Sequence, residues 1–205
     1  FNFKKNFQNI YINKWPIQLS GYKIIHISDL HLGSFNVEKL EVVVKMINEE
    51  NPDLVVFTGD LINNYYFEAL PFIDTLKKIK AKDGKFSILG NHDYLGNVKA
   101  QLEFNSHNWN LPNYYYKKTF DDLDLFFIDT SILVPNYSNL NYNIVKNKLN
   151  REPLEVSKIM LDWLDDQLEN SNNVKIVLGH YPIFSFGMYG INKKLFEILF
   201  PILRK

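Results

Sequence analysis

Asp29-Leu30-His31, Gly59-Asp60, Gly90-Asn91-His92-Asp93 and Gly179-His180 place carboxylate, amide and imidazole donors in four short segments widely separated along the chain. That mixture of oxygen and nitrogen suits Mn, Fe, Zn or a mixed pair better than Ca, which takes oxygen alone. Asp29 and His31 are two residues apart, so an extended strand exit would turn both to one side, where they could chelate one cation. Asp60 has two carboxylate oxygens and can bridge two cations. Asn91 adds a neutral amide oxygen and His180 an imidazole nitrogen. The chain has no cysteine, so no thiolate competes for the ion. Gly59 and Gly179 directly precede proposed ligands, as does Gly90, and a residue without Cβ lets the backbone turn sharply against a cluster. Singly, each segment also has an ordinary reading: Asp29 could cap a turn and His31 could stand exposed in a loop. Their joint order argues for one metal site.

The site depends on the elements that carry it. Lys23 to Ser28, Leu54 to Thr58, Phe86 to Leu89 and Val174 to Leu178 are short, apolar and β-branched, and each gives way to Gly or Asp, which predicts four buried strands. Leu40, Val43, Val44 and Ile47 have helical spacing within 37–50, and Phe67, Leu70, Ile73 and Leu76 form a similar stripe. Strand, helix, strand, helix, strand implies a parallel sheet, in which function gathers at the carboxyl ends of the strands. All four polar segments fall there. Helices are also expected over 155–168 and 195–203. His26 alternates with Ile25 and Ile27 and reads as a core or sheet-face histidine, whereas His107 lies in an Asn-rich loop and reads as solvated. Asp93 reads as a buttress for its neighbours rather than as a ligand.

These blocks resemble the calcineurin-like metallophosphoesterase superfamily, whose pattern runs D-x-H, G-D, G-N-H-D/E, G-H and G-H-x-H. Beyond residue 100 the chain is similar to the tartrate-resistant (purple) acid phosphatase branch. That likeness lies in Gln101-Leu102-Glu103-Phe104 with Trp109-Asn110-Leu111-Pro112, Phe127-Ile128-Asp129-Thr130, Leu161-Asp162-Trp163-Leu164 with Gln167-Leu168, and Gly179-His180-Tyr181-Pro182-Ile183-Phe184-Ser185. Asp29-Leu30-His31-Leu32-Gly33 is more like the general bacterial-type members. The resemblance covers roughly residues 22–205 and implies an α/β fold, two β-sheets packed as a sandwich flanked by α-helices. It implies that Asp29 and His31 bind a first metal, that Asp60 bridges, that Asn91 and His180 bind a second, and that His92 is free for catalysis. A phosphomonoester would then be hydrolysed by an activated water at two cations about 3.5–4 Å apart, with His92 protonating the leaving alkoxide or holding the phosphoryl oxygens. The alternative is an inactive member that kept the fold as a binding or structural module.

Two departures bear on this. The purple branch places a tyrosine three residues after the bridging aspartate, where this chain has Asn63, so the coloured tyrosinate is expected to be missing. The Gly-His-x-His block is absent, leaving three ligands per ion. Together with a start at Phe1 and an end at Arg204-Lys205, this gives the expectation of a C-terminally incomplete domain over 22–205, preceded by a lead-in strand over 1–21.

With 205 residues, 46% of them hydrophobic, the chain can bury one core. Its 23 basic and 23 acidic residues give no field for nucleic acid, and no stretch is long and apolar enough to span a bilayer. The secreted animal acid phosphatases of the resembled branch carry a disulfide that this chain lacks, which favours an intracellular or virion-like setting. Residues 135–153 read as a long polar loop; in the resembled enzymes the equivalent loop lies over the site, so Lys146, Lys148 and Arg151 could attract a phosphate-bearing substrate, small molecule or phosphoprotein. A solvated linker is the other reading.

Overall fold

The computed structural model describes residues 3–12, 15–34, 36–103, 110–134, 142–186 and 190–204. Three parallel strands, β1 (Ile24–Ile27), β2 (Leu54–Thr58) and β3 (Gly84–Ile88), form the first sheet in the order β1-β2-β3. A helix, α1 (Val37–Glu49), crosses from β1 to β2, and the short α2 (Ile73–Lys77) leads from β2 to β3. After α3 (Val98–Glu103) comes the second sheet: β4 (Tyr115–Phe120) runs antiparallel to β5 (Leu123–Ile128), and β5 parallel to β6 (Val174–Leu178). Between β5 and β6 lie α4 (Thr130–Leu133), α5 (Tyr142–Leu149) and α6 (Pro153–Glu169), and α7 (Lys193–Leu203) follows β6.

Strand β2 is buried along its whole length because it serves two cores. Leu54 and Val56 face the second sheet, in one cluster with Phe86, Ile88, Leu125 and Phe127. Val55 and Phe57 point the other way, against Leu40, Val44 and Ile47 of α1. This is the period-2 alternation of a strand with apolar neighbours on both faces. Aromatic rings join the sheets: Phe86 and Phe127 have centroids 5.9 Å apart, Tyr116 stacks on Phe127 at 4.5 Å, and the Tyr116 hydroxyl donates to the Ser87 carbonyl at 2.6 Å. Helix α1 begins at Asn36, whose side chain accepts the Lys39 N–H, and α7 at Asn192, which does the same for Leu195.

The sandwich and the parallel first sheet agree with the sequence reading, and several local expectations are corrected. The stripe from Phe67 to Leu76 is two 3-10 turns, Tyr66–Glu68 and Leu70–Phe72, before the short α2; Pro71 lies within the second turn, and a ring there removes a donor and clashes with the preceding turn. The lead-in forms no strand among its described residues, its only regular piece being a 3-10 turn over Ile17–Leu19 after Pro16. Most of its described side chains are exposed, Phe7, Ile10, Tyr11 and Ile17 among them. Within the polar segment 135–153, residues 142–149 are α5, held by Val145 and Leu149 four apart on one buried face. Residues 135–141 and His107 lie outside the described residues. Lys146 pairs with Glu152, Arg151 with Glu155, and Lys148 donates to the Gly96 carbonyl. No described helix is long and apolar enough to cross a membrane.

Candidate metal centre

The loops after β1, β2 and β3 leave the first sheet at one end, and the loop after β6 comes to them from the second sheet. The loops after β1 and β2 are joined by hydrogen bonds from Asp29 N–H to the Gly59 carbonyl (3.1 Å), His31 N–H to Asp60 (3.0 Å) and Leu32 N–H to Leu61 (3.0 Å). Asp29, His31 and Asp60 all adopt left-handed backbone, with φ of 57°, 45° and 54°. The two donors of the Asp-x-His segment therefore converge through left-handed turns and not through an extended strand exit. Each such residue costs about 1 kcal/mol or more, and three of the six described non-glycine residues with positive φ are ligand candidates.

All six residues singled out in the sequence meet here. One donor atom each from His31, Asp60 and His92 lies within 4.8 Å of the others, and the same holds for Asp29, Asp60 and His180. Asp60 Oδ2 is 3.6 Å from His31 Nε2 and 3.4 Å from His180 Nε2, Asp29 Oδ1 is 3.8 Å from His31 Nε2, and Asn91 Oδ1 is 3.1 Å from His180 Nε2. Donors at about 2.1 Å around one tetrahedral ion stand about 3.4 Å apart. Several of these gaps are too long for a good hydrogen bond and close to the spacing of ligands that share a cation. The donor set fits Zn, Mn or Fe.

Neighbours hold the donors in place. His180 donates its Nδ1 proton to the Thr58 carbonyl at 2.7 Å, and His92 does so to the Asn63 carbonyl at 2.8 Å. Asp60 Oδ1 accepts the His92 backbone N–H at 2.8 Å. Asp93, fully buried, accepts the N–H groups of Asp60 (2.9 Å) and Gly90 (2.8 Å) through one oxygen, which is the expected buttress, directed at backbone and not at an imidazole. Burial pushes its carboxyl up to about 6. Burial alone would lower His180; the Asp60 carboxylate outweighs it, aided by Asp29 and the Thr58 carbonyl, and pushes the imidazole up to about 9. Asp60 moves the opposite way: burial would raise it, but the hydrogen bond and charge of His180 and the His92 N–H hold it below the usual carboxylate range.

His26 bonds Thr58 Oγ1 at 2.6 Å, a sheet-face histidine outside the donor sets, as its alternation indicated. Asn63 gives its side-chain amide to Ser34 Oγ. Sequence reasoning missed the pair behind the centre: the buried Tyr94 hydroxyl donates to Asp129 at 2.5 Å, and Thr130 Oγ1 accepts the Tyr181 N–H beside His180. The signal was present in Asp129-Thr130 at the end of an apolar run, the same strand-end position that marked the candidate ligands.

A model of the calcineurin-like phosphoesterase family matches residues 22–203. The chain is 45% identical over 84 residues to an uncharacterized metallophosphoesterase, YkuE, of Bacillus subtilis, covering 40% of this chain and 29% of that protein. It is 29% identical over 181 residues to tartrate-resistant acid phosphatase type 5 of Mus musculus, covering 78% of this chain and 54% of the phosphatase. The chain thus spans about half or less of these two relatives. A crystal structure of a dimetal phosphatase from Danio rerio shares the fold with a TM-score of 0.57 at 14% identity, covering 89% of this chain and 77% of that one.

Proposed function

The chain belongs to the calcineurin-like phosphoesterase family, and on that premise we propose that it is a metal-dependent hydrolase of phosphomonoesters with a dinuclear centre. The observation that carries the reading is the gathering of Asp29, His31, Asp60, Asn91 and His180 from four loops of two sheets, at ligand spacing around one shared carboxylate. Asp29, His31, Asp60, Asn91 and His180 would hold the ions, with Asp60 common to both. Bound there, a pair of Mn, Fe or Zn ions supplies Lewis-acid polarisation of a phosphate ester and an activated water near neutral pH.

The chain's own residues fix the site beforehand. The Thr58 carbonyl holds the Nδ1 proton of His180 and so turns Nε2 towards Asp60 and Asn91. Asp93 clamps the backbone of the bridging residue to the Gly90 turn. The mouse relative is named as an acid phosphatase, which supports a monoester as the substrate class.

The test is hydrolysis of para-nitrophenyl phosphate and of its bis-ester by metal-stripped protein reloaded with Mn, Zn or Fe. Metal-dependent turnover that favours the monoester is expected. Tight binding of ions with no hydrolysis of either ester would overturn the reading in favour of an inactive binding module on the same fold.

A further inference from the structure

Two consecutive residues of one short turn tie the loop after β3 to different neighbours. In the 3-10 turn Asp93–Leu95, Asp93 accepts the backbone N–H groups of Asp60 and Gly90, and Tyr94 carries its hydroxyl to Asp129 Oδ2 just past the end of β5. The next residue continues the connection. Thr130 Oγ1 accepts the N–H of Tyr181, directly after His180, at 2.8 Å. A Cβ on Gly179, directly before His180, would stand 2.6 Å from Thr130 Cγ2. Both residues flanking His180 are thus packed against Thr130. The circuit closes across the metal centre, where His180 Nε2 and Asn91 Oδ1 are 3.1 Å apart.

Asn91 follows a strand of the first sheet and His180 a strand of the second, so the gap between them depends on how the two sheets are held together. Stability alone does not account for the buried pair that holds them. Tyr94 and Asp129 are both 0% exposed, and taking a hydroxyl and a carboxylate out of water costs about what their hydrogen bond returns, whereas an apolar pair of the same shape can be neutral. Asp129 Oδ1 accepts the Ser131 N–H at the start of α4, at 2.9 Å, which explains one oxygen and leaves Oδ2 to Tyr94. We propose that Tyr94, Asp129 and Thr130 are positioning residues that hold His180 against Asn91 across the two sheets, and so set the spacing of the ligands of one ion. The inference rests on the dinuclear reading and deepens it, since none of the three is itself a ligand in that reading.

The experiment titrates Zn into metal-free wild type, Tyr94→Phe, Thr130→Val, Asp129→Asn and Asp129→Ala. Long-range proton–nitrogen spectra read the His180 and His31 rings separately, and urea unfolding gives the stability of each protein. Tyr94→Phe, Thr130→Val and Asp129→Ala are expected to lower the affinity that His180 reports by about 10–100-fold, the usual effect of losing a ligand's support, and the affinity that His31 reports by less than about threefold. Asp129→Asn keeps an oxygen for the Ser131 N–H and offers an amide to the Tyr94 oxygen, so it is expected to bind at both sites within about threefold of wild type, which separates position from charge. A merely structural role gives another pattern, with both affinities falling together and in step with stability. That pattern, or an unchanged His180 affinity in Tyr94→Phe and Thr130→Val, would overturn the proposal. Thr130→Val leaves the buried pair intact and decides the matter should Tyr94→Phe fail to fold. Failure of the phosphomonoesterase reading looks different: wild type would hold Zn without hydrolysing either ester, and the His180 affinities would still decide this inference.

Discussion

The two oxygens of Asp60 have different duties: Oδ1 takes the His92 backbone N–H, and Oδ2 faces two imidazole nitrogens at 3.4 and 3.6 Å. A carboxylate only 2% exposed needs a positive partner close by. The chain alone supplies one by keeping a proton on His180, which is why that imidazole is pushed up to about 9, and a cation would supply the same charge. Asp60→Asn preserves an acceptor for the His92 N–H and removes the charge. Metal-stripped D60N is therefore expected to bind Zn at least about 100-fold more weakly at both sites, since loss of a ligand exceeds the 10–100-fold effect of losing a ligand's support. Calorimetry measures this, and retention of either ion within tenfold would show that Asp60 is not shared.

At the level of elements, the centre exists because two strand-end loops cross at glycines. A Cβ on Gly59 would stand 2.4 Å from the Gly90 nitrogen, and one on Gly90 would stand 2.2 Å from Asp60 Oδ1. Gly90→Ala is expected to cost on the order of 2–3 kcal/mol in urea unfolding, because only backbone and a ligand are there to move, and to weaken metal binding as well; a neutral variant with full binding would remove the crossed-loop account. Much of this was legible in the chain: short apolar runs ending in Gly or Asp marked β1, β2 and β6 closely, and the order of their polar ends marked the donors. Left-handed turns at Asp29 and His31 were not legible, because they arise from pairing with the loop after β2, a contact between distant segments. Nor was the hairpin of β4 and β5, in which every residue of β5 is buried, including Asp124, so no alternation shows. Asp124 is tolerated there because Lys117 (2.8 Å), Thr119 (2.6 Å), Ser171 (2.5 Å) and Asn173 (3.2 Å) surround it. Burial alone would raise its carboxyl, and these partners hold it at about 2 against an ordinary 3.8. A depressed carboxylate stabilises the fold above its unfolded pKa, and the gain is lost as pH falls from about 4 towards 2. Asp124→Asn is thus expected to be less stable by about 2 kcal/mol at pH 6, with the difference closing over that window in urea melts; a constant difference would mean that lost packing, not charge, is responsible.

Over the whole molecule, the residues proposed to hold metal divide unequally between the sheets: Asp29, His31, Asp60 and Asn91 follow strands of the first, and His180 follows a strand of the second. The sheets already share an aromatic core, and the Tyr94 to Asp129 bond ties the loop after β3 to the end of β5. A cation held by Asp60 and His180 together would add a direct link between the sheets at the open end of the sandwich, so binding should stabilise both as one unit. An ion at 100 times its dissociation constant contributes about 2.7 kcal/mol, which for a domain of this size raises the melting temperature by roughly 5–11 °C. Zn or Mn is expected to produce that rise, reversed by a chelator, with slower amide exchange in β5 and β6 as well as in β1 to β3. His180→Ala separates the contributions. With the second sheet's only proposed ligand gone, metal should still slow exchange around β1 to β3 through Asp29, His31, Asp60 and Asn91, while β6 should exchange at its metal-free rate. Equal protection of β6 by metal in wild type and H180A would show that the stabilisation travels through the shared core, and the bridging role of His180 would fall.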